Sequence, residues 1–555
     1  MRIIAVLTIS TIGFIFINYQ YIYVTGENFL PIYSAKQLIE GEVSLLHQIK
    51  FPIAWDLSIF NKEFISMYPP GIAILYFPCA YLSENLGVGI KLFSFIYFII
   101  GTWGYSKIIE DQKFKIIIFI LFITLVFNNW NYLTGYDFKL GDILAYSFCP
   151  WVYIYTKAII NCFDQKGSYH QYILYGIFCG LSYIIKFSLS IITLAIMTSI
   201  LITYFNQRKL FELSTFRKLL SIAIGAVMPI TTWMYITWTE IGTLTSASEI
   251  SNIFNEINIK FLVELILSLF SFLVFNLFST DFIIQHIVFF SGMVPMDSMS
   301  FLSKNSIVCI ILLPLSIVSV FVIYKDKNTK KFFLQIILPY ILYMLIMTIF
   351  LERNFMLNTT RLHLPLFFIL ELYLLSTFLK NLKSKIVLVM IVFFILTKSV
   401  TFYSSIKHHI TRVDKRDLTS YNGLNYPSFD NTDLKAIQDY LSSRKTSQKK
   451  YVCFVDVSED FWGGTGALWS LTSETIVPVM FDAWKFSDMF SNNYDAHNDV
   501  HFTSSESYDI SIVFSYDSRD FKNKYIKKFP QIKNWEEHDN FHSNSPLIIS
   551  GHHLK

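Results

Sequence analysis

The sequence predicts an α-helical polytopic membrane protein of about eleven transmembrane helices, followed by a small α/β domain. Of the 555 residues, 53% are hydrophobic and only 15% are charged, and the mean hydropathy is +0.45; this composition excludes a soluble protein. Apolar runs of roughly 20 residues, the length that crosses the hydrocarbon core of a bilayer, recur up to position 403. From position 404 onward the chain becomes rich in Asp, Asn, Ser, Lys and Tyr.

The apolar runs give the order of the spans. No small-x-small cleavage site follows the first run, which is therefore interpreted as an uncleaved span. A separate apolar stretch at 261–290 is interrupted by Asp281 and His286, so it is either a re-entrant pair or a pair of interfacial helices. The predicted spans are 3–22, 88–106, 115–128, 143–160, 171–187, 189–205, 218–236, 306–324, 332–350, 363–380 and 386–403.

Lysine and arginine predict the orientation, because short loops rich in them stay in the cytoplasm. Basic residues concentrate in the loops 107–115, 206–209, 324–331 and 380–385, and the alternate loops carry acids and aromatics. The chain is therefore predicted to lie in the inner (cytoplasmic) membrane with a cytoplasmic N-terminus and an extracytoplasmic C-terminal domain. This topology accounts for the net charge of +4, so the charge is no indication of nucleic-acid binding.

The predicted domains are a membrane domain at 1–403 and a soluble α/β domain at 404–555. In the soluble domain, a helix is expected to begin at Asn431 or Thr432, since either residue suits an N-cap. Strand-like runs follow at 451–457, 474–481, 508–516 and 546–550.

The first outward loop, 23–87, is too long for a mere connection, and loops of this size usually carry function. It contains Glu27 soon after the first span, then Tyr33, the amphipathic segment AKQLIEG at 35–41, and the turn Tyr68-Pro69-Pro70-Gly71. Prolines fix the backbone and glycine releases it, so this turn is expected to shape the end of the loop.

Three further motifs lie at predicted outward ends of spans. They are Asp142-Ile143-Leu144 at the start of a span, the spacing G-x-x-x-G-L-x-x-x-x-K from Gly176 to Lys186, and NTTRLHLP at 358–365, which contains Arg361.

In this order, the motifs resemble those of the GT-C superfamily of membrane glycosyltransferases. The similar branch includes protein O-mannosyltransferases, aminoarabinose transferases and lipopolysaccharide-core sugar transferases. The resemblance covers roughly positions 20 to 375 and depends on the order of the motifs, because none of them is specific alone. It implies an inverting glycosyltransferase that moves a sugar from a polyprenyl-phosphate donor to a hydroxyl of a glycan, lipid or protein acceptor. The expected setting is the outer face of the membrane, in cell-envelope glycan synthesis or lipopolysaccharide modification.

The resemblance places an acidic residue just beyond the first span, and Glu27 occupies that position. A carboxylate at the membrane edge can take the proton of an acceptor hydroxyl, so Glu27 is the predicted catalytic base and Asp56 the reserve candidate. The family usually has Asp where this chain has Glu27. The alternative is that Glu27 only solvates the end of a span.

Negative charge builds on the departing lipid phosphate and calls for a cation. Lys186, Arg361 and Arg353 lie at predicted outward edges of the membrane, where such a phosphate would sit. The alternative for each is that its long side chain merely reaches the headgroups.

Asp137 and Asp142 are predicted to position the acceptor or to hold a divalent cation together with Glu27. Carboxylates without His or Cys partners favour magnesium or manganese over zinc, but the sequence does not decide whether any metal is needed. Asp142 is alternatively a helix cap. His363 is interpreted as a helix-end residue rather than a ligand.

Two other functions stay open. A transporter or flippase of lipid-linked saccharides would also be aromatic-rich and polytopic, but such proteins usually show internal repeats and intramembrane charges. A polysaccharide polymerase or ligase would act on similar lipid-linked substrates; such enzymes tend to place their main outward loop late in the chain, whereas here it comes first.

Overall fold

The computed structural model gives the protein a helical bundle with strands at two places along the chain. It describes residues 47–53, 56–65, 70–83, 86–109, 140–163, 169–241, 306–351, 360–414, 420–421, 424–425, 451–456, 476–478, 500–507, 510–515, 532–538 and 547–553, with isolated residues within 31–39, 117–122, 266–277 and 439–443.

The helices follow the predicted spans. A single π-helical turn, Phe333–Ile337, joins two of them into one continuous rod. In chain order the helices are α1 (Gly71–Leu82), α2 (Leu86–Ile108), α3 (Leu140–Cys162), α4 (Tyr169–Ile185), α5 (Phe187–Asn206), α6 (Leu213–Ile241), α7 (Ser306–Ile323), α8 (Lys327–Phe332), α9 (Leu338–Leu351), α10 (Thr360–Lys380) and α11 (Lys385–Asp414).

Six helical segments among the described residues are long and apolar enough to cross a membrane: α2, α3, α5, α6, the rod from α8 to α9, and α10. The protein is a multi-pass membrane protein, as the composition predicts. The predicted span 3–22 lies outside the described residues, and only short helical fragments of 115–128 and 261–290 are described. The full number of spans therefore stays a prediction.

Helix α11 differs from its predicted span. It continues past position 403, where the apolar composition ends, to Asp414. The added segment SSIKHHITRVD is polar but contains neither Gly nor Pro, so nothing in it stops a helix. Composition indicates where a chain leaves the bilayer, whereas helix ends depend on breakers and caps.

Helix α10 lies at the centre of the bundle, and its side chains from His363 to Leu375 are almost all buried. Tyr105 of α2 donates a hydrogen bond to the carbonyl oxygen of Pro365 at 2.7 Å. The hydroxyls of Tyr153 in α3 and Tyr373 in α10 are 2.6 Å apart. Hydrogen bonds of tyrosines thus join neighbouring helices to α10 near its start and just past its middle.

The loops after α7 and α10 meet at one end of the bundle, here called the lysine-rich end (324–331 and 380–385). Lys325 donates a hydrogen bond to the Ser384 hydroxyl at 2.6 Å, and Lys380 lies 3.6 Å from the Asp326 carboxylate. The last residues of α2 line a cavity there together with Asp326 and Lys380. The loops 324–331 and 380–385 and the last residues of α2 thus lie at the same end of the bundle, and the side of the membrane on which this end lies stays a prediction.

Two main sheets accompany the bundle. The predicted strand runs correspond to β5 (Tyr451–Asp456), β6 (Ile476–Pro478), β8 (Ile510–Ser515) and β10 (Leu547–His553), which join β9 (Ile532–His538) in the order β6-β5-β8-β10-β9. Strand β5 runs parallel to β6 and β8, and β10 runs antiparallel to β8 and β9. Within the predicted helix, residues 439–440 are helical and Ser443 is in a turn.

The other main sheet joins distant parts of the chain. Strands β1 (His47–Ile53) and β2 (Asp56–Ile65) form an antiparallel hairpin within the first loop, and β7 (Val500–Ser507) pairs antiparallel with β2. A short hairpin of β3 (Ser420–Tyr421) and β4 (Leu424–Asn425) completes the described strands. Backbone hydrogen bonds therefore tie the first loop to the C-terminal region, a connection that the sequence analysis did not predict.

Candidate active site

Lys186 lies at the hairpin between α4 and α5. Its backbone is extended (φ −164°, ψ 130°), so the chain leaves one helix and begins the next at this residue. The Lys186 amide donates to the Ser182 carbonyl at 2.9 Å, and its own carbonyl accepts from the Leu189 amide at 3.0 Å. Helix α4, predicted as the span 171–187, thus ends at Ile185, one residue before Lys186, whose side chain stays partly exposed.

Asp142 lies in the first turn of α3 and is buried. The Lys186 ammonium donates a hydrogen bond to Asp142 Oδ1, which forms an ion pair between two motifs 44 residues apart. A carboxylate is stabilised near a helix N-terminus, and a buried carboxylate needs a partner of this kind. The pair therefore fixes the direction of the ammonium.

Pro70 and Gly71, the last two residues of the Tyr-Pro-Pro-Gly motif, reach the same place. Pro70 is the N-cap residue of α1, and its carbonyl accepts from the Ile74 amide at 3.0 Å. A Cβ atom on Gly71 would lie 2.5 Å from the Ile184 carbonyl oxygen, so only glycine permits this approach to the end of α4. The glycine serves close packing as well as turning of the chain.

Gly141 completes the junction. A Cβ atom there would lie 3.2 Å from Ile72 Cδ1 and 3.2 Å from Lys186 Cδ. The start of α1, the start of α3 and the α4–α5 hairpin therefore meet around Asp142 and Lys186. We call this junction the Asp142–Lys186 site.

Helix α6 packs closely against α4 through glycines of both helices. Cβ atoms added to Gly176 and Gly180 would collide with the backbone carbonyls of Ile222 and Ala226, and one added to Gly225 would collide with the carbonyl of Ile173. Small residues four apart let membrane helices approach this closely. The G-x-x-x-G part of the motif is thus a packing element that supports the lysine.

His363 lies in the first turn of α10 and is buried. Its Nδ1 is 2.6 Å from the Tyr340 hydroxyl of α9, and the Phe272 ring packs edge-on against the imidazole with centroids 5.0 Å apart. Among the described residues no group of three His, Cys, Asp or Glu side chains could hold a metal. These contacts agree with the interpretation of His363 as a helix-end residue.

Several predicted site residues lie outside the described part of the chain, and their roles stay predictions. Asp56 is the first residue of β2 and Arg361 is in the first turn of α10, but the structure does not describe the side chain of either residue. Pro70, Gly71, Asp142 and Lys186 are described, and the structure brings them together. The residues wholly outside are Glu27, Tyr68, Pro69, Asp137 and Arg353.

Asp142 fits a divalent cation poorly as it stands, because the Lys186 ammonium occupies its Oδ1. The other two carboxylates of the predicted cation site, Glu27 and Asp137, lie outside the described residues, so the requirement for magnesium or manganese stays a prediction.

The sequence analysis missed a second ion pair, between Glu371 of α10 and Lys398 of α11, with Nζ and Oε1 2.8 Å apart. Both residues are buried near the middle of their helices. Charged residues within spans are rare and usually paired, so their positions inside 363–380 and 386–403 were a usable signal.

No protein-family model matches the sequence. No curated protein matches it either. Among solved structures, ArnT from Cupriavidus metallidurans bound to undecaprenyl phosphate aligns over 99% of this chain and 97% of its own, with a TM-score of 0.50 and 9% identity. The same protein in the apo state aligns over equal shares, with a TM-score of 0.49 and 9% identity. This chain therefore shares the fold of the ArnT structure that carries undecaprenyl phosphate. At 9% identity the likeness concerns the fold alone.

Proposed function

We propose that the protein is an inverting glycosyltransferase that moves a sugar from a polyprenyl-phosphate donor to an acceptor hydroxyl on the outer face of the membrane. The observation that carries the proposal is the meeting of three separate motifs at the Asp142–Lys186 site. The GT-C fold supports the same reaction class, and the similar ArnT structure was obtained with undecaprenyl phosphate.

The reaction needs a base on one side of the sugar and a cation on the other. The acceptor oxygen forms a bond to the anomeric carbon while the bond from that carbon to the phosphate oxygen breaks. Glu27 takes the acceptor proton, and polyprenyl phosphate leaves with the bonding electrons. Asp56 is the reserve base.

Lys186 is suited to receive the leaving phosphate. Its ammonium is held by a buried carboxylate, yet its side chain is partly exposed and can be reached by a lipid headgroup. A preformed cation placed where charge develops stabilises the transition state without reorganisation at the moment of reaction. Arg361 and Arg353 are proposed as further phosphate ligands, and Asp137 as an acceptor-positioning residue.

The acceptor is a glycan, a lipid or a protein of the cell envelope, since a carboxylate base serves any hydroxyl. The C-terminal domain is proposed to lie on the same side as the first loop, because β7 pairs with β2. Such a domain is well placed to bind the acceptor.

The test is sugar release from a panel of polyprenyl-phosphate hexoses by protein in nanodiscs. Wild type is compared with Glu27→Gln, and the control variant is Arg208→Gln, at an exposed arginine in a predicted cytoplasmic loop. We expect turnover to fall at least about a hundredfold in Glu27→Gln and to be unchanged in the control. Full activity of Glu27→Gln would remove the base assignment and direct attention to Asp56.

A transporter of lipid-linked saccharides is the second candidate. The buried pair Glu371–Lys398 favours it, because transporters commonly carry paired charges within their spans. In the same nanodisc panel, lack of turnover with every donor, combined with movement of lipid-linked sugar between leaflets in proteoliposomes, would replace the transferase proposal by this one. Chain extension of a lipid-linked oligosaccharide would instead indicate a polymerase or ligase.

A further inference from the structure

An apolar groove with a volume of about 660 Å³ lies between α7, α9 and the helical fragment at 266–277. Its walls include Leu273, Ile317, Phe321, Leu338 and Ile341. Ile317 and Phe321 are each 61% exposed, so these large side chains face the groove rather than the protein core. The volume is in the range of sites that enclose a sizeable ligand.

The groove opens at the lysine-rich end. Tyr324 and Lys325 line its mouth, and the Lys330 ammonium lies 4.7 Å from the centroid of the Tyr324 ring. The partner of Lys325 is the neutral hydroxyl of Ser384 at 2.6 Å, so this contact leaves its positive charge in place. The mouth is thus cationic and the interior apolar.

The charge around the mouth is strongly one-sided. The loops 324–331 and 380–385 contain seven lysines and one acid, Asp326. Asp326 accepts hydrogen bonds from the Asn328 and Thr329 amides as the N-cap of α8, and it lies 3.6 Å from Lys380. Its charge is therefore directed to the helix start and to another lysine.

The π-helical turn contributes to the groove as well. Phe333, its first residue, lines the wall, and Gln335 donates to the Thr203 hydroxyl of α5 at 3.3 Å. π-Helical turns inside helices are rare and are found frequently at functional sites.

We propose that this groove binds an anionic glycerophospholipid of the leaflet at the lysine-rich end. One acyl chain occupies the apolar interior, and the headgroup phosphate contacts Lys325. Any lipid tail gains from covering exposed apolar walls, whereas the cationic mouth selects an anionic headgroup. The inference does not depend on the transferase reaction, because the Asp142–Lys186 site lies at the other end of the helices.

The test uses the full-length protein, delipidated in a neutral detergent, with phosphatidylglycerol or phosphatidylcholine added. Phosphatidylglycerol is expected to raise the melting temperature saturably, since a ligand that binds only the folded state stabilises it, and phosphatidylcholine is not. Lys325→Gln should weaken the apparent affinity for phosphatidylglycerol about fivefold. The matched control is Lys383→Gln, another exposed lysine of the same end outside the groove.

A second variant pair tests the position of the tail. Ile317→Trp fills the groove and should abolish the stabilisation, whereas Val227→Trp, on an exposed face of α6, should leave it unchanged. Equal losses in Lys325→Gln and Lys383→Gln would overturn the proposal in favour of general surface charge. Displacement of phosphatidylglycerol by equimolar polyprenyl phosphate would overturn the assigned occupant. Lys325 is exposed, so Lys325→Gln is expected to fold. If Ile317→Trp does not fold, the affinity of Lys325→Gln for phosphatidylglycerol still decides the proposal.

Discussion

The Asp142–Lys186 and Glu371–Lys398 pairs have the same chemistry but differ in access. Both join a carboxylate of one helix to an ammonium from a neighbouring segment. The side chain of Lys186 is 19% exposed beside an almost fully buried Asp142. In the second pair the lysine is 3% exposed and the glutamate 0%. A ligand can reach the first ammonium but not the second.

The two pairs also differ in what surrounds them. Asp142 begins a helix and Lys186 interrupts two, so both have loops beside them. Glu371 and Lys398 lie near the middle of α10 and α11, with helical residues on both sides of each. The two pairs carry the same charges, so the difference between them is access to solvent or headgroups. Asp142–Lys186 is accessible and suited to chemistry, whereas Glu371–Lys398 is suited only to joining two helices.

The largest expected effect is on the stability of the protein, at the fully buried pair Glu371–Lys398, here called the sealed pair. Lys398→Met leaves the Glu371 carboxylate without its counter-ion, and breaking a buried pair in this way costs about 3–5 kcal/mol. The double variant Glu371→Leu with Lys398→Met removes both charges and should regain most of the loss. Unfolding in mixed detergent measures both, and Lys385→Met, at the exposed start of α11, is the control. A double variant no more stable than the single one would contradict this account.

The next largest effect is expected on turnover, at the partly exposed pair Asp142–Lys186, here called the accessible pair. Lys186→Met removes the proposed cation for the leaving phosphate, and the loss of one such group typically lowers kcat by about 10²–10³. Lys186→Arg keeps the charge and should retain most activity, although its planar fork differs in shape from an ammonium. The measurement is kcat on a polyprenyl-phosphate hexose with folded protein matched by gel filtration. A stability loss with unchanged kcat would make both pairs structural.

Local pattern predicted most of the helices but not the partners of charged residues. Length and apolarity are local, so the positions of α2, α3, α5 and α10 could be predicted from the sequence. The ion pair of Glu371 with Lys398 depends on how α10 packs against α11, which no periodicity records. The pairing of β2 with β7 likewise joins segments more than four hundred positions apart.

The candidate site was predicted in pieces. The sequence placed Gly71, Asp142 and Lys186 at outward ends of spans, but it gave Asp142 a metal, acceptor or capping role rather than an ion pair. That pair requires the α4–α5 hairpin to lie beside the start of α3, and the contacts of Gly176 and Gly180 with α6 hold α4 in place. Tertiary packing therefore decides which predicted residues meet.

A smaller effect is expected at the glycines. A substitution at Gly71, beside the accessible pair, should mainly lower turnover, whereas one at Gly180, which packs against α6, should mainly lower stability. Gly71→Ala would force the start of α1 away from the Ile184 carbonyl and shift the junction beside Lys186. Displacements of this kind lower turnover by about 10- to 100-fold. Gly180→Ala should instead destabilise by about 1–3 kcal/mol through overpacking against α6. Parallel kcat and melting measurements would contradict the distinction if both variants lost stability and activity in the same proportion.

The smallest expected effect concerns how Asp142 acts on Lys186. In Asp142→Asn the ammonium is no longer aimed by a charged partner, so kcat should fall about tenfold through poorer orientation. The carboxylate and the donor phosphate bind the same ammonium, so removing the carboxylate should leave the KM for the donor unchanged or lower it. A purely structural role would not produce this split. A rise in KM with unchanged kcat would mean that Asp142 binds substrate itself, and the accessible pair would then differ from the sealed one in more than access.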